Sequence, residues 1–165
     1  MEIINEASEK FKNRQDELCG FLFDVLKQID VLEKEICERG MELRRKADES
    51  GLPQSQMPPG DKELWEEYRR RMGEIVKPVC TEKLLKRGCA GSHGKPSKYD
   101  YINGECTVDF IMKTAARATV IAHFMSGIAQ KHKFVLRDVN GKWLIDEVYY
   151  GFESDGDKWY VSNIR

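Results

Sequence analysis

The side chains with chemical potential in this sequence are three histidines, five cysteines and a run of acids and tyrosines toward the end of the chain. Cys80, Cys89 and His93 are the nearest approach to a zinc ligand set. Their spacings match no common structural site and no fourth ligand follows, so no metal is expected. Gly91-Ser92-His93-Gly94 fits neither the nucleophile elbow nor the phosphate-binding loop and reads as a turn. His123 and His132 fall in strand-like segments, with Asp109, Tyr99, Tyr101 and Tyr149 as candidate neighbours. Acid–base catalysis needs such a group poised in a pocket within reach of substrate, whereas satisfied or exposed strand histidines are the commoner case. No recognisable catalytic set emerges, so neither enzymatic activity nor a cofactor is expected.

The acidic run has a different use. Asp146, Glu147, Tyr149, Tyr150, Glu153, Asp155 and Asp157 combine carboxylates with tyrosines over a short stretch. Tyrosines supply rigid contact area, and acids on one hairpin would speed encounter with a basic protein. These seven residues are the expected partner-binding surface, although Asp-Gly pairs also suit plain turns.

Composition narrows the classes. A net charge of −1 over 165 residues, with 27 basic against 28 acidic side chains, leaves no basic footprint for direct nucleic-acid binding. The acidic excess lies in the first third of the chain. Five cysteines at irregular spacing argue against a disulfide framework and for a reducing compartment. No stretch approaches the ~18 apolar residues of a membrane span, and Met1 to Glu6 shows no basic patch leading into an apolar run. A cytoplasmic protein is the expectation.

The elements that position these residues follow from periodicity. Ile4, Ala7 and Phe11, then Leu18, Leu22, Val25, Ile29, Leu32 and Ile36, recur at helical steps, predicting a helical region over residues 1–48. Phe21 and Phe23 widen its apolar face beyond a coiled-coil seam and favour a helix laid along a core. Gly20 and Gly40 mark sites for a break. Residues 49–60 hold three of the five prolines and form a loop. A second helix starts near Asp61, carries Leu64, Trp65, Tyr68, Met72 and Ile75, and stops before Pro78; Thr81 to Lys86 adds a further turn. From about Tyr99 the period changes to two: Cys106, Val108 and Phe110 alternate with polar residues, as do Val120, Ala122 and Phe124. Phe134 and Leu136, then Trp143 and Ile145, flank Asn140-Gly141, a strong hairpin signal, and Asp155-Gly156 precedes a last strand. The expected fold is α+β, with helices packed on a curved antiparallel sheet of four to six strands in one domain spanning 1–165 and Trp143 on the helix side.

Phe134-Val135-Leu136, Asn140-Gly141-Lys142-Trp143-Leu144-Ile145-Asp146 and the ending in Trp159-Tyr160 resemble the closing strands of the nuclear transport factor 2-like fold. Over roughly Asp61 to the C-terminus, the chain looks most like bacterial immunity proteins of polymorphic toxin systems built on that fold. The resemblance implies a cone-like sheet around helices and a protein that binds and neutralises a cognate toxin. It leaves a homodimer open. Relatives of this fold also include enzymes and small-molecule binders that use a cavity between sheet and helices, which is the alternative implication.

Overall fold

In the computed structural model, which describes residues 1–165, the chain runs from a short strand through helices into a sheet. The elements are β1 (Glu2–Asn5), a 3-10 turn (Glu9–Arg14), α1 (Gln15–Glu49), α2 (Asp61–Val76), α3 (Glu82–Leu85), a 3-10 turn (Asp100–Asn103), β2 (Cys106–Thr114), β3 (Arg117–Ser126), β4 (Ile128–Val139), β5 (Lys142–Phe152), a 3-10 turn (Glu153–Asp155) and β6 (Tyr160–Ser162). The strands lie in the order β1-β2-β3-β4-β5-β6 in one curved, unclosed sheet. This is the expected α+β architecture.

The apolar seam of α1 is its buried face: Leu18, Leu22, Val25, Ile29, Leu32 and Ile36 are all buried. They join Tyr68, Met72 and Val76 of α2 and the inward residues Val108, Phe110, Met112, Val120, Ala122, Phe134 and Leu136 of the sheet in one core of 30 residues. Each fully buried large side chain contributes roughly 1.5–3 kcal/mol. α1 is thus a core helix, not one strand of a coiled coil. It also runs through Gly20 and Gly40 without a break, because packing along its length outweighs the ~1 kcal/mol that each glycine costs.

Two boundaries differ from the periodicity. The stretch from Ile4 to Phe11, read as helical, begins instead with β1, which pairs parallel to β2. The ladder continues in the bonds donated by Glu6 N–H to Phe110 O (2.8 Å) and by Ser8 N–H to Met112 O (3.0 Å). A sheet edge with unpaired backbone groups captures the segment. The residues around Tyr99 form a 3-10 turn, so the sheet proper starts at Cys106.

Asn140 and Gly141 both have positive φ, 55° and 81°, as a type I′ turn requires. Opposite this hairpin β5 carries a bulge: Leu136 faces Ile145 and Val135 faces Glu147, leaving Asp146 without a partner on β4. The free edge of β5 beside the bulge is covered by Val79–Thr81, through Thr81 N–H to Ile145 O (3.0 Å) and Ile145 N–H to Val79 O (2.8 Å). Trp143 lies on the helix side at the rim, half-buried beneath the Arg14 guanidinium 5.7 Å from its ring.

The connector between α3 and β2 hangs on two carboxylates of α1. Glu33 is fully buried and accepts bonds from Gly94 N–H (2.9 Å) and Lys98 N–H (3.0 Å), and it pairs with Arg165. Asp30 accepts from Ser97, from Asn103 Nδ2 (2.9 Å) and from Lys34 Nζ (3.0 Å). Burial alone would raise the Asp30 pKa, but these three donors outweigh it and hold the carboxyl below its ordinary value.

Candidate functional site: the outer face of the sheet

Alternation along the strands sends one set of side chains to the core and the other outward. Register places Asp109 of β2, Ile121 of β3, Lys133 of β4 and Tyr149 of β5 in one outward row, with His123, Lys131 and Gly151 in the next. The connection from β5 to β6 lies over this second row as a strap. Its carbonyl at Gly156 accepts from Lys131 Nζ, and its Trp159 ring lies 4.6 Å from Lys131 Nζ and 4.3 Å from Lys133 Nζ. Lys131 is consequently buried, and Lys133 sits between the rings of Trp159 and Tyr149, the latter 4.5 Å away. Cation–π contacts of this kind contribute about 0.5–2 kcal/mol each. Burial lowers the pKa of Lys133; the charge of Glu147 opposes this, and the cations Lys131 and Arg117 add to the depression.

The strap fits because residue 151 is glycine. A Cβ there would stand 2.9 Å from the Lys158 carbonyl oxygen, closer than real contacts allow, and a tight 3.0 Å from Lys131 Cε. Gly151→Ala is therefore expected to lift the strap, costing about 1–3 kcal/mol of stability. Urea unfolding followed by tryptophan fluorescence checks this, and an unchanged midpoint would show that the strap does not bear on Gly151.

At its other end the strap is tied by His123. Nδ1 lies 2.6 Å from Glu153 Oε1 and Nε2 lies 2.9 Å from Asp109 Oδ2. Two carboxylate acceptors require both nitrogens to donate, which only the imidazolium can do. Burial alone would lower the His123 pKa; the bonds to Glu153 and Asp109 outweigh it and raise the value above 6.5. A raised folded-state pKa means that the tie is fully present below about pH 6.5 and is lost as pH rises through the raised value. Stability of the parent over His123→Gln is thus expected to be greatest below about pH 6.5 and to shrink in alkaline buffer, in denaturant titrations across that range. A difference that grows with pH would contradict the tie.

The seven acidic and tyrosine residues divide over this architecture. Asp146, at the bulge, is buried and accepts from Thr81 Oγ1 (2.9 Å), with Lys83 Nζ at 3.6 Å. Glu147 faces outward but is held by Lys83, by Arg117 at 3.6 Å and by the Tyr149 hydroxyl at 2.8 Å. The Lys83 bond, with help from Tyr149 and Arg117, keeps its carboxyl below the ordinary value. Tyr149 lies on the outer face, whereas Tyr150 points to the opposite face and stacks on Tyr160 at 5.2 Å. Glu153 is engaged by His123 and Asp155 accepts from the Tyr160 hydroxyl at 3.2 Å. Asp157 is exposed. The structure thus brings Glu147, Tyr149 and Glu153 to one face and leaves Asp146 and Tyr150 off it.

His132 faces inward, caged by Tyr101, Phe124, Tyr99 and Phe134, with Nδ1 3.2 Å from the Tyr101 hydroxyl. Burial, and secondarily the charge of Lys98, push its pKa down to about 3, so it is neutral at physiological pH. His93 packs on Trp65 at 4.6 Å, and Cys80 is buried; no group of three or more His, Cys, Asp or Glu residues is arranged to hold a metal ion. No helix is long and apolar enough to cross a membrane.

Lys131, Lys133, Arg117 and Arg137 also lie on this face and are not among the residues expected from sequence. Lys131, Lys133 and Arg137 stand at alternate positions of one strand, which puts them on one face. That spacing was the available signal. No family model matches the chain, and no curated protein or solved structure does so at a significant level.

Proposed function

We propose that this chain is a non-catalytic binding protein of the immunity type, neutralising a cognate bacterial toxin by occupying its surface. The observation that carries the reading is the packing of the space between helices and sheet. Tyr68, Tyr99, Phe110, Phe134, Met72 and Met112 are all fully buried there, where a cavity-using enzyme or small-molecule binder needs room for substrate. The one histidine in that interior is held neutral inside an aromatic cage. An open groove of about 700 Å³ lies instead between α1 and α2, lined by Asp24, Lys27, Arg71 and Glu74. A packed interior leaves the chemistry of recognition to the surface, and the strapped outer face gathers aromatic and charged side chains on rigid strands.

The toxin assignment draws on the resemblance of the closing strands to immunity proteins. Its test is co-expression of this chain with the protein encoded beside it. Survival of the host and co-purification of the two chains are expected. A toxic neighbour that kills equally with and without this chain would overturn the assignment.

A further inference from the structure

We infer that the outer face of the sheet docks an acidic segment of the protein partner, whose carboxylates seat on the cationic row Lys133, Arg137 and Arg117. The inference rests on the reading of the chain as a protein-binding module and specifies the chemistry of what it binds. The first support is an imbalance of pairing. The acids on this face are already engaged: Glu147 by Lys83 and Arg117, Glu153 and Asp109 by His123. Two cations are not. Lys133 has two aromatic rings for neighbours and no carboxylate within ion-pair distance, and Arg137 makes no ion pair or side-chain hydrogen bond. Arg117 has only the 3.6 Å contact to Glu147, a carboxylate it shares with Lys83.

The second support is register. Arg117 and Arg137 are directly opposite each other on β3 and β4. Like charges so placed repel, and the half-buried Lys133 ammonium, with no ion-pair partner, has its desolvation offset only in part by the two rings and the charge of Glu147. Carboxylates from a partner would relieve both, and guanidinium groups bind them bidentately. The surrounding surface favours separate carboxylates over nucleic acid. Lys133 already covers faces of Tyr149 and Trp159 on which bases would stack.

The test titrates the full chain with poly-L-glutamate and, separately, with oligothymidylate, following tryptophan fluorescence at low and at physiological salt. Poly-L-glutamate is expected to bind, more weakly as salt rises, and Lys133→Gln/Arg137→Gln is expected to weaken it about tenfold or more. Arg117→Gln, at an exposed strand end, gives a second variant should the double one lose its fold. No binding by the parent at low salt, equal binding by parent and folded variants, or tighter binding of oligothymidylate would each overturn the inference. Absent peptide binding with intact co-purification would remove this surface and leave the immunity reading. Salt-sensitive, variant-sensitive peptide binding without co-purification would support the surface and remove only the toxin assignment.

Discussion

Glu33→Ala should remove about 3–5 kcal/mol of folding stability, the usual consequence of deleting one partner from a buried ion pair. The carboxylate is fully buried on the inner face of α1 and receives Gly94 N–H, Lys98 N–H and Arg165. Alanine would leave a guanidinium and two backbone donors without their acceptor at a largely buried site. The loss falls on the connector between α3 and β2, where Lys98 Nζ also bonds Asn163 O (2.7 Å) and Ser162 Oγ (3.0 Å). Glu33→Gln keeps an acceptor but not the charge and should fall between parent and alanine variant. Equilibrium urea unfolding measures both, and a loss under about 1 kcal/mol for alanine would show that the connector is held by other contacts.

The second large effect is acid sensitivity from His132. A histidine whose folded pKa is depressed takes up its proton more readily in the unfolded chain, so its contribution to stability is intact above about pH 6.5 and is lost as pH falls toward the folded value. With that value pushed down to about 3, the window runs over most of the mildly acidic range. Each pH unit inside it costs about 1.4 kcal/mol, hence roughly 3 kcal/mol by pH 4. His132→Phe fits the aromatic cage and cannot be protonated, but it strands the buried Tyr101 hydroxyl at a cost of about 1–3 kcal/mol. The variant should be the less stable protein at pH 7 and the more stable one at pH 4. Parallel stability–pH curves for parent and variant would contradict the burial of His132.

What was legible in the sequence is what local chemistry decides. Asn140-Gly141 states its own turn, and the four-three spacing from Leu18 to Ile36 declares a buried helical face. The strand at Glu2–Asn5 was not legible, since its partner β2 lies a hundred residues away and its spacing also satisfies a helix. The acidic surface could be read only as a list of charges. Whether Glu147 is free or held depends on Lys83 and Arg117, which other elements bring to it. The bulge at Asp146 turned that residue into a buried anchor, and the pleat sent Tyr149 and Tyr150 to opposite faces. The alternating Lys131, Lys133 and Arg137 could have been weighed from the strand alone, but the pairing that leaves Lys133 and Arg137 without anions is a property of the folded sheet.

The proposed recognition takes place on the strapped outer face of the sheet. Hydrogen–deuterium exchange on the complex with the co-purified partner addresses it most directly. Added protection is expected in β3, β4 and the strap from Glu153 to Trp159. Protection confined to α1 and α2, with exchange in those sheet segments unchanged, would contradict it.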